Sequence, residues 1–172
     1  MQLLTAKPVL YVCNVAEEDA ANGGDERSRQ VAALAAMQNA AVVVISAAIE
    51  SEVAQLEQEE ERRAFLSGLG LPEAGLDRLI RAGYTALDRI TFFTVGPKEI
   101  RAWTIPNGAT APQAAGAIHT DFERGFICAD VIAYADFAVG GEQHARDNGK
   151  SRLEGRGYKV HDGDVIHFRF NV

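Results

Sequence analysis

The stretch from Ile100 to Tyr134, read with the tail from Tyr158 to Val172, constrains this chain more than any other. IRAWTI has the β-branched and aromatic content of a strand, and it stops at the turn sequence Pro106-Asn107-Gly108. AAGAIHTDF then predicts a helix of small residues, and FICADVIAY a second strand. The tail YKVHDGDVIHFRFNV reads as two short strands folded at Asp162-Gly163, because Asp-Gly between alternating apolar residues is a hairpin signal. Thr91 to Val95 adds a strand ahead of this set, turned back by Gly96-Pro97. Such an order predicts an α+β fold, a small roll.

The chain upstream has another character. Lys7 to Val15 is nearly all apolar, as a parallel strand buried on both faces would be. Glu17 to Gly24 reads as a loop, and Asp25 can cap a helix through Asn39 in which Val31, Leu34 and Ala35 recur at helical spacing. Ala41 to Ala47 is a second buried strand, which completes a βαβ unit. Two strands are too few for a doubly wound sheet, so the segment reads as part of a larger α/β domain. Ile49 to Leu69 predicts one acidic helix. Val53, Leu56, Phe65 and Leu66 are available for burial there, and Glu57 to Glu61 form its solvated face. Gly68, Gly70 and Pro72 end it. Glu73 to Leu87 predicts a shorter helix with Leu76, Leu79 and Ile80 on one side, and the boundary falls near Asp88-Arg89. Gly140 to Gly157 reads as a long exposed connection holding a short helix, Glu142 to Asn148.

A formal net charge of −7, concentrated in the first half, excludes binding nucleic acid by bulk electrostatics. Any RNA contact needs a local patch, and DNA is not expected as a partner. No apolar run reaches the ~18 residues of a membrane span, and MQLLTAKPVLYVC lacks the marks of a signal peptide. The expectation is a cytoplasmic protein without a membrane partner, with Cys13 and Cys128 as buried reduced thiols.

Several residues invite a chemical reading. Gly149-Lys150-Ser151 ends like a phosphate-binding loop, but His144 stands where the first glycine belongs. A chance tripeptide is the better account. Asn14-Val15-Ala16-Glu17 and Ser46-Ala47-Ala48 each come directly after a predicted strand, where an α/β sheet presents ligand contacts. The Asn14 amide can pair with a purine N7 or an adenine N6 amine; a capped strand-to-loop junction is the alternative. His119, His144, His161 and His167 show no zinc-ligand spacing, and His119 reads as a structural imidazole at a helix end. Arg146, Lys150, Arg152, Arg156 and Lys159 are clustered, either as solvated charge or as a phosphate-contacting patch. Trp103 and Tyr158 are able to stack on bases, with a place in the core as the alternative.

VHDGDVIHFRF, with IHTDFERGFICA upstream, resembles a TGS domain, the β-grasp module of threonyl-tRNA synthetases, some GTPases and stringent-response synthetases. The fuller RAWTIPNGATAPQAAGAIHTDFERGFICADVIAYADF is similar to the C-terminus of the YchF-type Obg-like ATPases, as are IRAGYTALDRITFFTVGPKEIRAWTIP and KPVLYVCNVAEED. The resemblance implies that residues 1–50 are the closing βαβ piece of a P-loop nucleotide-binding domain. It makes 51–88 a helical connector and 89–172 a TGS domain of β-grasp (ubiquitin-like) fold. It further implies a family that binds and hydrolyses ATP with Mg2+, also binds GTP, and associates with the ribosome (large subunit) or structured RNA. The base-binding residues would be Asn14, Val15, Glu17, Ser46 and Ala47. An N-x-x-E sequence stands here where P-loop GTPases have N-K-x-D, and the longer Glu17 is poorly placed for guanine. The RNA or ribosome contact would be Arg146, Lys150, Arg152, Arg156 and Lys159. The family's P-loop and Mg2+-binding switch residues have no counterpart, so this chain alone is expected to be inactive. A stand-alone RNA- or ribosome-binding adaptor and a regulatory protein-interaction module are the rival readings.

Overall fold

The computed structural model describes residues 3, 6–97 and 99–171. The predicted tail therefore loses its last residue, Val172, and the first segment its residues 1, 2, 4 and 5, to positions outside the described residues. Two compact units make up the chain, Met1–Leu87 and Asp88–Val172.

In the first unit, β1 (Leu10–Asn14) and β2 (Ala41–Ile45) pair in parallel, from Leu10 beside Ala41 to Asn14 beside Ile45. Between them lie α1 (Glu17–Ala20) and the crossover α2 (Glu26–Met37). Asp25 caps α2 as expected. Its carboxylate accepts from Ser28 N at 2.7 Å, and that bond holds the acid below the usual carboxylate range. Then come α3 (Ala47–Val53), α4 (Glu59–Gly68) and α5 (Gly75–Ala86), with Ala20, Ile49, Val53, Leu66 and Leu71 as the core.

Three expectations need correction in this unit. The strands are not buried on both faces: Val12 is 45% exposed, and in β2 only Val43 is buried. A two-stranded sheet lacks the neighbours that bury parallel strands. Residues 17–20, read as loop, form one helical turn. The single helix from Ile49 to Leu69 is two helices. In one straight helix Val53 and Leu66 would lie ~20 Å apart, yet both pack in one cluster. Arg62 Nε donates to Leu56 O at 2.7 Å and holds the break. The predicted helix at Glu73 to Leu87 is α5, and on it Leu76 and Ile80 are exposed.

The second unit is a five-stranded mixed sheet in the order β4-β3-β7-β5-β6. Here β3 (Arg89–Val95) and β4 (Ile100–Pro106) form an antiparallel hairpin with Phe92 opposite Trp103. β7 (Asp164–Phe170) runs parallel to β3 and antiparallel to β5 (Phe126–Ala133), and β6 (Arg152–Glu154) adds an antiparallel edge to β5. Over the core side lie α6 (Ala111–Ile118) and α7 (Thr120–Arg124); α8 (Tyr134–Asp147) packs on β5 and β7. The core is Phe92, Ile105, Phe126, Val131, Ile166 and Phe168 with the alanines of α6.

The small-residue helix starts earlier than its composition implies, where Thr110 N donates to Gln113 Oε1 at 2.8 Å. It breaks at His119, which is extended and whose Nδ1 accepts from Asp121 N at 3.2 Å, a structural role as read. The tail is one strand and not two. Lys159 makes only an isolated bridge with Thr110, and Val160 N donates to Ala109 O at 3.0 Å. The cause is Asp164. Only 3% exposed, it accepts from Tyr158 Oη at 2.7 Å and from His161 N at 2.8 Å, which folds the upstream arm back. Burial first, and then this hydrogen bond, push the Tyr158 phenol well above its ordinary pKa. The Asp162-Gly163 turn itself seats on β3, with Gly163 at φ +81° and Thr91 N donating to Asp162 Oδ1. Gly140 to Gly157 is no loose connection either. The second half of α8, after a kink at Gly140-Gly141, and then β6 occupy it. Both cysteines are free, and both are half-buried rather than buried.

Candidate functional site

β1 and β2 end side by side, and their outgoing loops meet at one corner. Val15 N donates to Ile45 O at 2.9 Å, which extends the pairing one step past Asn14. There the Asn14 side chain crosses between the strand ends, its Oδ1 accepting from Ala47 N at 2.9 Å. Since Oδ1 is engaged, Nδ2 is the amide's outward donor, a match for purine N7; an adenine N6 amine would have to share Oδ1 with Ala47. Ser46 is 3% exposed, and its Oγ has no partner among the described residues. A buried hydroxyl without a partner is costly, and such groups in native structures ask for a reason. Ala47 is exposed and opens α3. The fold thus brings Asn14, Val15, Ser46 and Ala47 together at the carboxyl ends of parallel strands. Glu17, exposed, opens α1 three residues beyond Asn14.

Two further residues hold this corner, and nothing local in the sequence marks them. Arg78 Nη2, on α5, donates to Val44 O at 2.9 Å. The Glu50 carboxylate on α3 accepts from Gly75 N and Leu76 N. Their partners lie 34 and 25 residues away, beyond the reach of any short motif. A cleft of about 750 Å³ between α3, α4 and α5 shares Glu50 with this corner and none of the loop residues.

Gly149-Lys150-Ser151 is a helix stop. Gly149, at φ +68°, donates to Arg146 O, and Lys150 N donates to Ala145 O at 2.8 Å, the paired bonds of a helix C-terminus. The Lys150 ammonium lies 3.5 Å from Asp136. A phosphate loop instead precedes its helix, so these residues do not fit a triphosphate. Among the described residues, no three of His, Cys, Asp or Glu gather to hold a metal ion.

The five cations are exposed, but most face their own carboxylates. Arg146 pairs with Glu142 at 2.6 Å, Lys150 with Asp136, and Arg152 with Glu154 at 3.9 Å. Arg156 Nη1 donates to Phe126 O at 2.8 Å and so also fastens its loop to β5. Lys159 sits at the bridge to Thr110. Exposed ion pairs cost little to open, so these cations can exchange carboxylates for phosphates. Trp103 is taken up by the fold: Nε1 donates to Thr94 Oγ1 at 2.9 Å, and the Arg101 guanidinium lies 4.1 Å over the ring.

A family model named YchF-GTPase_C, described as a protein of unknown function (DUF933), matches residues 89–171. The ribosome-binding ATPase YchF of Bacillus subtilis is 53% identical over 174 residues, covering 100% of this chain and 47% of that protein. Its Haemophilus influenzae counterpart is 55% identical over 170 residues, covering 98% and 46%. Among solved structures, the YchF GTPase of Schizosaccharomyces pombe superposes with a TM-score of 0.80 at 34% identity, over 97% of this chain and 44% of that one. A GTP-binding protein from Pyrococcus horikoshii, at a TM-score of 0.62 and 17% identity over 96% and 46%, shares the fold. The chain spans about half the length of the curated relatives it matches.

Proposed function

This chain belongs to the YchF family, and on that premise we propose that it carries the base-reading corner of an ATP site beside a ribosome-contacting domain. The observation that carries the first half is the Asn14 Oδ1 to Ala47 N bond, which joins the two loops at the carboxyl ends of parallel strands. Asn14 Nδ2 donates to purine N7, and Val15 and Ala47 line the base beside the buried Ser46. Glu17 disfavours guanine, because its longer side chain misplaces the carboxylate that would otherwise meet the N1 and N2 donors.

Residues 1–50 then act as the closing βαβ piece of a P-loop nucleotide-binding domain, 51–88 as a helical connector and 89–172 as a TGS domain of β-grasp fold. Supporting the last assignment is the five-stranded mixed sheet with α6 packed across its core side. The curated relatives are named ribosome-binding ATPases. By that likeness the protein acts in the cytoplasm, and the domain meets the ribosome or structured RNA through Arg146, Lys150, Arg152, Arg156 and Lys159. Hydrolysis needs a phosphate loop and Mg2+ ligands, which in this reading lie elsewhere in the intact protein.

The test is a specificity swap in a full-length relative carrying these residues. Changing Val15→Lys and Glu17→Asp together should move the ATP/GTP affinity ratio towards GTP by about tenfold or more, the worth of one good bidentate base contact. An unchanged ratio removes Asn14 to Glu17 from the base site.

A further inference from the structure

We propose that Glu50 is a positioning residue for the Ser46-Ala47 loop, acting through the N-terminus of α5. Glu50 lies one turn into α3, where its backbone N–H donates to Ser46 O at 3.0 Å. Its carboxylate reaches across to α5 and accepts from Gly75 N at 2.7 Å and Leu76 N at 3.1 Å. The first N–H groups of a helix have no partner within it, and the helix dipole favours negative charge there. Ala74, at the cap position, has no side chain able to serve them, so Glu50 serves them instead.

Gly75 makes the approach possible. A Cβ at this position would fall 2.7 Å from Glu50 Oε1 and 2.8 Å from Ile45 Cγ2. Glycine therefore lets the start of α5 touch both the first turn of α3 and the last residue of β2. One turn on, Arg78 ties the same helix to Val44 O. Ile45 O points to β1, where Val15 meets it, so alternation along the strand turns Val44 O to the opposite edge. α5 thus grips the chain on either side of Ser46-Ala47.

The grip matters because α3, at seven residues, is too short to hold its own shape. Ile49 seats one side of it in the core. Glu50 lies about 100° further round the helix, and its bond to α5 fixes the rotation about that seat. A rotated α3 would carry the Ala47 N–H away from Asn14 Oδ1. The base-site reading gives this arrangement its purpose, but its test involves no nucleotide.

Amide hydrogen exchange, read by NMR on the whole chain, compares the parent with Glu50→Gln and Glu50→Ala. Losing a charge-assisted hydrogen bond should speed exchange at Gly75, Leu76 and Ala47 by about tenfold or more, with the alanine variant the faster. Val43, in the middle of β2, should keep the parent rate and so show that the unit is still folded. If Gly75 and Leu76 accelerate while Ala47 does not, Glu50 merely caps α5 and the proposal fails. It fails equally if none of the three changes, or if Val43 accelerates with them, because the effect is then on stability and not on position. The specificity swap at Val15 and Glu17 can fail while this exchange pattern holds, so the two readings stand or fall separately.

Discussion

The two units are alike in length and unlike in how they dispose of their apolar side chains. Asp88–Val172 closes five strands and three helices over one core, in which Phe92 is fully buried and packed against Trp103 and Phe168. Met1–Leu87 has two parallel strands, and it leaves Val9, Val12, Leu34, Met37, Leu76 and Ile80 exposed. A parallel strand pair is normally buried on both faces, and this one is not: Val12 is 45% exposed and in β2 only Val43 is buried. The difference teaches where burial lies: under a five-stranded sheet in one unit, and among short helices beside a half-open strand pair in the other.

The contrast is broken most directly inside the five-stranded unit. Phe92→Ala removes its central ring and should cost about 3–5 kcal/mol, read as a lower urea midpoint by Trp103 fluorescence. A smaller loss is expected from Gly125→Ala. The added Cβ would lie 1.9 Å from Asn171 O, backbone that cannot swing aside, and such overpacking costs about 1–3 kcal/mol.

In the open unit the effects should be gentler. Asp25→Ala removes the α2 cap, and it also changes the acid response. The Asp25 pKa is lowered on folding, so the cap's contribution is present above the ordinary carboxylate range and is lost as pH falls through the folded value. The parent should therefore lose helical circular dichroism on acidification over a range in which the variant loses less. Met37→Lys, at a side chain 79% exposed, should leave the stability of this chain within about 0.5 kcal/mol. If that face is covered in a full-length relative, the same change there should lower the melting temperature and so sharpen the contrast.

How much of this was legible depended on whether the cause was local. The Asp25 cap, the βαβ order and the strand at Phe126 to Ala133 come from short-range chemistry, and they appear where the residues put them. The break between α3 and α4 does not, because it comes from Val53 and Leu66 sharing a core. The Tyr158 to His161 arm looks like half of a hairpin, but Asp164, a charge in a position that reads as strand, draws it away. β6 was hidden in a polar stretch, since an edge strand needs no apolar alternation when one side faces water. At the candidate site, the strand-end loops were visible as sequence, whereas the Glu50 and Arg78 contacts that hold them depend on helices far along the chain.

The measurement that tests the contrast most directly is urea unfolding of the two units made as separate chains. Trp103 is the chain's one tryptophan, so its fluorescence reports the second unit alone. Residues 88–172 should show one cooperative transition at the midpoint that Trp103 reports in the whole chain. Residues 1–87, monitored by circular dichroism, should unfold broadly or self-associate through their exposed apolar face. A fragment 88–172 without a cooperative transition, or a monomeric 1–87 that unfolds as sharply as its neighbour, would contradict the account.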